Sequence, residues 1–197
     1  MLVDDEHLTR GAMAALLGLE SDIEVVAQAA TGAEALAQAR THEADVAVLD
    51  LHLPDTDGVT LAEQLHRIQP HCRTMIVTAH GYPGHLKRAL AAGVHGFLPK
   101  TIDAETLASV VRTVSAGRWY VDPQLAAEAI SAGDSPLTRR EAEVLAPAAN
   151  DAPIGEIARR ASLSCGTVRN YLSSAVGKLG GANRHEAARM ARSRGWI

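Results

Sequence analysis

Short apolar runs alternate with helical patterns through the first two-thirds of this chain of 197 residues. After a very short run at Leu2–Val3, strand-like runs are predicted at residues 23–29, 45–49, 74–77 and 94–98. Patterns with helical periodicity separate the runs, at residues 8–19, 31–40, 59–68, 84–92 and 104–115. Strands that alternate with helices in this way form parallel sheets covered by helices on both faces. The sequence therefore predicts an α/β fold with a doubly wound, five-stranded parallel sheet.

The last third of the chain has a different pattern. Strand signals stop at Leu137, and four helical segments follow, at residues 139–149, 153–161, 164–179 and 183–194. A tight turn between the second and third helices is typical of a small all-α helix-turn-helix domain. Pro147 should kink or shorten the first helix, because proline removes a backbone hydrogen bond.

The two patterns are separated by a segment rich in glycine and proline. Residues 117–135 are predicted to be a linker with a short helix, and its apolar run Trp119–Val121 is expected to dock on one of the domains. The predicted organisation is therefore a first domain at residues 1–116, a linker at 117–135 and a second domain at 136–197.

Charge divides the chain at the same place. Residues 1–135 contain 9 Lys and Arg against 18 Asp and Glu, and residues 136–197 contain 10 against 5, within a net charge of -4. A basic domain behind an acidic one favours a polyanionic partner such as DNA, although a basic domain without such a partner is the simpler alternative. We find no apolar run of membrane-spanning length and no signal-peptide pattern at Met1, so we expect a cytoplasmic protein with no membrane partner.

Polar side chains follow four of the predicted strands. Asp4 and Asp5 follow the first strand and Asp50 the third, while Thr78 and Lys100 follow the last two. Because the carboxyl ends of parallel strands meet at one edge of a sheet, these side chains should converge. Adjacent carboxylates repel one another, which either raises their pKa values or demands a cation, and oxygen ligands favour Mg²⁺. A carboxylate can also act as a nucleophile toward phosphorus, with an ammonium and a hydroxyl neutralising the transferred charge.

Together with the segments 50–58 and 97–100, these residues resemble the receiver domain of bacterial two-component response regulators over roughly residues 1–115. The resemblance implies a flavodoxin-like fold and makes Asp50 the acceptor of a phosphoryl group from a sensor histidine kinase. It also implies a Mg²⁺ site, with ligands from Asp4, Asp5, Asp50 and the carbonyl of His52, in which Asp4 acts mainly through water.

The same resemblance implies a switch that responds to phosphorylation. Lys100 and Thr78 would contact the phosphoryl group, and Thr78 and Phe97 would move together as the switch pair. Phe97 has no hydroxyl group, so its ring cannot form the outward hydrogen bond that a tyrosine could form there. The first strand is shorter than is usual in the family, which leaves two alternatives: the true start lies upstream, or the strand is frayed, which would loosen Asp4 and Asp5.

The segments 137–145, 156–158 and 163–171 resemble the LuxR-type helix-turn-helix domain of the NarL/FixJ family. The resemblance makes residues 164–179 the recognition helix, with the run 167–178 similar to the DesR-type branch. The residues expected to contact base edges are Arg169, Asn170 and Ser173. The residues expected to contact phosphates are Thr167, Lys178 and Arg184.

The function implied is that of a DNA-binding transcriptional regulator rather than an enzyme. Phosphorylation of Asp50 would promote a homodimer that binds two half-sites, with RNA polymerase as a further candidate partner. One alternative is a DNA-binding regulator whose atypical receiver is controlled by a ligand or by oxidation. A second is a phosphatase-like enzyme, which is disfavoured because Leu51-His52 follow Asp50 where such enzymes usually place a second acid.

Overall fold

Six short parallel strands form one sheet in the first part of the computed structural model, which describes residues 1–79, 81–131, 133 and 135–197. The strands are β1 (Leu2–Val3), β2 (Gln28–Ala29), β3 (Val46–Leu49), β4 (Arg73–Thr78), β5 (Gly96–Pro99) and β6 (Tyr120–Val121). Their order across the sheet is β2-β1-β3-β4-β5-β6. The helices that alternate with them are α1 (His7–Leu17), α2 (Gly32–Gln38), α3 (Gly58–Ile68), α4 (Pro83–Ala91) and α5 (Ala104–Ser115). The predicted doubly wound parallel sheet is confirmed.

Alternate residues of each strand point to opposite faces of the sheet, and both faces are buried. One face packs with α1 and α5 in a core that includes Val48, Met75 and Leu98. Ile76, on the other face, lies beside the first residue of α3. Continuous Val, Ile and Leu runs are the expected composition of strands that are buried on both sides.

Two strands differ from the prediction. The run 23–29 was expected to be a strand throughout, but only Gln28–Ala29 are paired, because they are the residues that lie opposite the two-residue β1.

The sixth strand lies inside the predicted linker, where the amide of Tyr120 donates to the carbonyl of His95 at 2.9 Å. The ring of Trp119 stacks on that of His95, with 4.8 Å between the ring centroids. The expected docking of Trp119–Val121 thus takes the form of a strand added beside β5.

The chain divides into two units, residues 1–81 with 86–125 and residues 82–85 with 126–197. Helix α6 (Pro123–Ser131) begins in the first unit and ends in the second, and the helices of the second unit are α7 (Arg139–Leu145), α8 (Ile154–Ala161), α9 (Cys165–Leu179) and α10 (Arg184–Ser193). Buried residues of α7, α8, α9 and α10 form one apolar core. Two residues of the predicted linker, Ala132 and Asp134, lie outside the described residues. The predicted domain boundaries themselves remain predictions.

Pro147 shortens the first helix of this unit, which was predicted to run from 139 to 149. The α-helix ends at Leu145, and a 3-10 helix continues from Ala146 to Asn150. Proline cannot donate the hydrogen bond that an α-helix would require at its position, so the chain tightens there. Among the described residues, none of the helices combines the length and the apolar composition needed to cross a membrane.

Candidate functional site

Three carboxylates meet beyond the carboxyl ends of β1 and β3. Oxygen atoms of Asp4, Asp5 and Asp50 all lie within 4.8 Å of one another. Asp4 and Asp50 are buried, whereas Asp5 is exposed. The amide of Asp50 donates to the carbonyl of Val3 at 2.7 Å, so the backbone ties the two strand ends together. The arrangement concentrates negative charge at a site that is open to solvent on the side of Asp5.

The ammonium group of Lys100 partly neutralises this charge. Its Nζ lies 2.8 Å from Oδ2 of Asp4, 2.9 Å from Oδ2 of Asp50 and 3.0 Å from Oε2 of Glu6. The backbone positions the side chain, because the amide of Lys100 donates to the carbonyl of Thr78 at 2.8 Å. The end of β5 is thereby held against the end of β4, and one ammonium contacts three carboxylates.

Burial and ion pairing change the protonation of these groups. Burial raises the pKa of Asp4 above its usual range, although the hydrogen bond from Lys100 opposes this effect. Burial alone would lower the pKa of Lys100, but its hydrogen bonds to Asp4, Asp50 and Glu6 outweigh burial and raise that pKa. Lys100 therefore remains a cation near neutral pH. Its positive charge would offset the further negative charge that a transferred phosphoryl group brings.

The residues at this edge fit a magnesium ion. Three carboxylates converge on one partly open space, and the described residues there offer the oxygen ligands that Mg²⁺ prefers. His52, whose carbonyl is the fourth predicted ligand, follows two residues after Asp50, and its amide donates to Oδ1 of Asp50 at 3.4 Å. The ligand roles of Asp4, Asp5, Asp50 and His52 remain predictions.

The loop after Asp50 is anchored to helices on either side. Both carboxylate oxygens of Asp55 accept backbone hydrogen bonds at 2.9 Å from Gly32 and Ala33, at the start of α2. Asp57 accepts from two amides in the first turn of α3, and its Oδ1 also pairs with Arg88 of α4 at 3.1 Å. Three helices thus fix the path of the chain that leaves the carboxylate cluster.

Thr78 and Phe97, the predicted switch pair, are both buried. Thr78 ends β4, and Phe97 lies in the adjacent strand. The amide of Asp122 donates to the carbonyl of Phe97 at 3.0 Å, and Oδ1 of Asp122 accepts from the amide of Leu125 at 3.1 Å in the first turn of α6. The strand that carries the ring is therefore bonded directly to the start of the predicted linker helix. The switch role of the pair remains a prediction.

The predicted recognition helix, α9, has one buried and one exposed side. Val168, Leu172 and Ala175 face the core. The three predicted base-contacting residues, Arg169, Asn170 and Ser173, are all exposed. Ser164 caps the helix by accepting from the amide of Thr167 at 3.1 Å. The helix therefore presents polar side chains from its amino-terminal half to solvent, as a helix that enters the major groove must.

The three predicted phosphate contacts have different surroundings. The hydroxyl groups of Thr167 and Ser164 are 2.8 Å apart near the start of α9. Arg184 is half-buried, and its Nε lies 3.2 Å from Nε2 of His185. Lys178 forms an ion pair with Glu141 at 2.7 Å. A phosphate that bound Lys178 would compete with this internal carboxylate, whereas the other two residues have no described carboxylate partner. All three contacts remain predictions.

Glu141 connects α7 with the recognition helix. Glu141 is only 5% exposed to solvent. Its carboxylate accepts hydrogen bonds from the amide of Thr138, the hydroxyl of Ser174 and the ammonium of Lys178. The hydroxyl of Thr138 in turn accepts from the amide of Glu141, which completes a capping box. The hydrogen bond from Lys178, followed by that from Ser174, lowers the pKa of Glu141 to about 2.

We predict that the stability contributed by Glu141 disappears in acid. Its folded pKa of about 2 lies below its ordinary value of 4.5, so the contribution is complete above pH 4.5 and is lost as the pH falls toward 2. Glu141→Gln should lower the free energy of unfolding by about 1 to 2 kcal/mol at neutral pH, because hydrogen bonds to a charged buried group are lost. Chemical unfolding at a series of pH values would measure this difference.

The matched control is Glu143→Gln, in the same helix. Glu143 is exposed and pairs with Arg140 one turn away at 2.6 Å. Its replacement should change stability by less than about 0.5 kcal/mol, as is usual for exposed pairs. A Glu141→Gln deficit that persisted unchanged at pH 2 would contradict the prediction.

Two acidic residues at these sites were not identified from the sequence. Glu6 continues the run of acids that begins with Asp4, but a third acid in an exposed position gives no signal that it reaches Lys100. The pattern Thr138-x-x-Glu141 is recognisable as a capping box before an apolar run. The pattern does not indicate that the same carboxylate binds Lys178, which is 37 residues away in the sequence.

Comparisons with known proteins match both parts of the chain. The family model for the response regulator receiver domain matches residues 1–112, and the model for bacterial regulatory proteins of the luxR family matches residues 135–191. The transcriptional regulatory protein DesR of Bacillus subtilis (strain 168) is 37% identical over 196 residues, covering 100% of this chain and 97% of DesR. The transcriptional regulatory protein UhpA of Escherichia coli (strain K12) is 36% identical over 188 residues, covering 95% of this chain and 94% of UhpA.

Solved structures give a consistent result. The response regulator ChrA of a heme-sensing two-component system aligns with a TM-score of 0.58 and 28% identity, covering 100% of this chain and 97% of ChrA. A complex of the response regulator RcsB with DNA aligns with a TM-score of 0.68, covering 98% of this chain and 96% of RcsB. At 22% identity, the second match supports the fold alone.

Proposed function

Because this chain belongs to the response regulators that join a receiver domain to a LuxR-type DNA-binding domain, we propose that phosphorylation of Asp50 controls its binding to DNA. The observation that carries the proposal is the position of Asp50. Its buried carboxylate directly follows β3, 2.9 Å from the ammonium of Lys100 and within 4.8 Å of the other two acids. A carboxylate next to a fixed cation can accept a phosphoryl group and hold the product.

The proposed donor is a phosphohistidine on a sensor histidine kinase. An oxygen of the Asp50 carboxylate attacks the phosphorus, a new P–O bond forms, and the P–N bond to the imidazole breaks. The electron pair of that bond stays on the imidazole nitrogen, and Asp50 becomes an acyl phosphate. Lys100 supplies a fixed positive charge to the transferred oxygens. Asp5, Asp50 and the His52 carbonyl, with Asp4 acting mainly through water, would hold Mg²⁺, which would supply further positive charge during the transfer.

We propose that Thr78 and Phe97 transmit the change. The hydroxyl of Thr78 would move onto the phosphoryl group, and the ring of Phe97 would follow within the buried face of the sheet. The amide of Asp122, which donates to the carbonyl of Phe97, supports a route from the ring to α6. In this proposal the receiver spans residues 1–116, the linker 117–135 and the DNA-binding domain 136–197.

The DNA-binding step uses α9. Its exposed amino-terminal half would enter the major groove, while residues at the helix ends would contact phosphates. A homodimer formed on activation would place two such helices on half-sites about one helical turn apart. The proposed partners are therefore a histidine kinase, double-stranded DNA and a second copy of the chain, with RNA polymerase as a further candidate. Such a regulator would act in the cytoplasm, where bacterial DNA is located.

The experiment is to incubate the full chain with phosphoramidate and Mg²⁺ and to measure its intact mass and its DNA binding. A DNA site would first be selected from a random library. We expect a mass gain of one phosphoryl group and tighter binding to the selected site. DNA binding that is tight but unaffected by phosphorylation would contradict the proposal, and would favour control of the receiver by a ligand or by oxidation.

We predict that Arg169→Ala weakens binding to the selected DNA site. A bidentate contact between arginine and guanine contributes about 1 to 3 kcal/mol of discrimination, so affinity should fall by roughly 5- to 150-fold. Arg189→Ala is the control, because Arg189 is an exposed arginine on α10 and its loss changes the net charge equally. Fluorescence anisotropy at constant salt, with selected and scrambled DNA, would measure both. Equal losses on the two DNAs would show that Arg169 contacts phosphate rather than bases.

A further inference from the structure

Glu6 is an acid near the carboxylate cluster that has no role in the function proposed above. It lies immediately before α1, and its Oε2 accepts from the ammonium of Lys100 at 3.0 Å and from the hydroxyl of Thr9 at 3.0 Å. Its side chain is 59% exposed, in contrast to 1% for Asp4 and 8% for Asp50. The most exposed of the three carboxylates that bind Lys100 is therefore the one to which no function has been given.

The number of donors on Lys100 is limited. An ammonium group has three N–H donors, and three carboxylates lie within 3.0 Å of this one. A phosphoryl group on Asp50 would bring new oxygens that need a donor from Lys100. Lys100 donates hydrogen bonds to Glu6 and to Asp50 and pairs with Asp4 at 2.8 Å, so the new oxygens compete with these carboxylates for the ammonium.

The two partners of Lys100 other than Asp50 differ in how easily they can be released. Asp4 is buried, its Oδ1 accepts from the amide of Glu6 at 2.9 Å, and its backbone carbonyl accepts from the guanidinium of Arg10. Releasing its carboxylate would leave a buried charge without its cation, which is costly. Glu6 can be hydrated as soon as it leaves, because its side chain is mostly in solvent. An exposed ion pair of this kind changes an equilibrium by no more than about fivefold.

We propose that Glu6 is a positioning residue that occupies one donor of Lys100 in the resting receiver and is displaced by the phosphoryl group. This inference rests on the proposed function, since it assumes that Asp50 accepts the group. Glu6 therefore favours the unphosphorylated state, and its loss should favour the phosphorylated one.

The test uses beryllofluoride, which takes the place of a phosphoryl group on a carboxylate oxygen. Its affinity for the full chain would be measured by ¹⁹F NMR in the presence of Mg²⁺. Glu6→Gln should bind beryllofluoride about two- to fivefold more tightly than the wild type, because an exposed competing ion pair is removed. Glu105→Gln, which removes the charge of an exposed acid in the first turn of α5, should leave the affinity unchanged.

A shorter acid separates contact with Lys100 from charge alone. Glu6→Asp keeps the charge but withdraws the carboxylate by about one C–C bond, roughly 1.5 Å, from Lys100. If Glu6 acts by holding Lys100, Glu6→Asp should resemble Glu6→Gln. If Glu6→Asp resembles the wild type, or if Glu105→Gln has the same effect as Glu6→Gln, the inference is overturned.

Thermal unfolding of each variant would check that the receiver remains folded, and a shift of no more than a few degrees is expected because Glu6 is exposed. Equal beryllofluoride affinities in the wild type and Glu6→Gln would overturn the role of Glu6 and leave the proposed function intact. A wild-type chain that bound no beryllofluoride would instead contradict the proposed function, and the role of Glu6 with it.

Discussion

Asp50→Asn should take up no phosphoryl group from phosphoramidate and Mg²⁺, under conditions in which the wild type is labelled to completion. An amide oxygen is a much weaker nucleophile than a carboxylate, and the product would not be an acyl phosphate. The variant should also fail to show tighter DNA binding after incubation with the donor. Intact-mass spectrometry and fluorescence anisotropy on the same samples would measure the two effects together.

The Asp50→Asn chain should remain folded, which makes the loss interpretable. Lys100 keeps its contacts with Asp4 and Glu6, at 2.8 and 3.0 Å. The charge of Asp50 also contributes to the raised pKa of Asp4, so its removal relieves repulsion between two buried acids. We therefore expect the thermal stability of the variant to equal or slightly exceed that of the wild type.

A matched control lies at the other end of the same strand. Asp45 directly precedes β3 and is exposed, so Asp45→Asn changes the net charge equally without reaching the carboxylate cluster. This control should be labelled like the wild type. If Asp50→Asn were labelled as well as Asp45→Asn, Asp50 could not be the acceptor, and another acid of the cluster would have to be tested.

The convergence of the strand ends could be predicted because it depends on a rule of topology. Parallel strands place their carboxyl ends at one edge, so short apolar runs that end in Asp4, Asp50 and Lys100 place those side chains together. The break at Pro147 was predictable for a physical reason, since a missing N–H has the same effect in any helix. These predictions require only residue types and their order.

The sixth strand could not be predicted in this way. Tyr120–Val121 has two residues, too few to show a period of two, and its pairing depends on the carbonyls of His95 and Phe97 being available at the edge of β5. The prediction for residues 23–29 failed for the related reason that an apolar run becomes a strand only where a neighbour can pair with it.

Partners of long polar side chains are equally hidden in the sequence. The bond between Lys100 and Glu6 joins residues 94 positions apart, and it depends on where the end of β5 places a flexible side chain. Capping boxes and turn residues are local patterns that can be recognised. An ion pair between distant elements is a property of the folded chain, and for this reason the role proposed for Glu6 had to come from the structure.

Gly58→Ala should both destabilise the receiver and impair phosphorylation of Asp50. Gly58 is the first residue of α3, and a Cβ atom there would lie 2.2 Å from the backbone oxygen of Asp50 and 3.1 Å from Cδ1 of Ile76. The Asp50 backbone cannot easily yield, because its amide is bonded to Val3 at the end of β1. Overpacking of this kind costs about 1 to 3 kcal/mol of unfolding free energy.

The effect on phosphorylation should be larger than the loss of stability suggests. Displacement of Asp50 by about 1 Å would misalign its carboxylate with Lys100 and reduce the labelling rate by roughly 100-fold. Labelling would be measured well below the melting temperature, so that unfolding does not contribute. Gly11→Ala is the control, because Gly11 lies within α1 and, apart from its neighbours in that helix, no atom is within 4 Å of the added Cβ. It should be labelled normally and be more stable by up to about 1 kcal/mol. Normal labelling of folded Gly58→Ala would show that the position of the Asp50 carboxylate does not depend on close contact with α3.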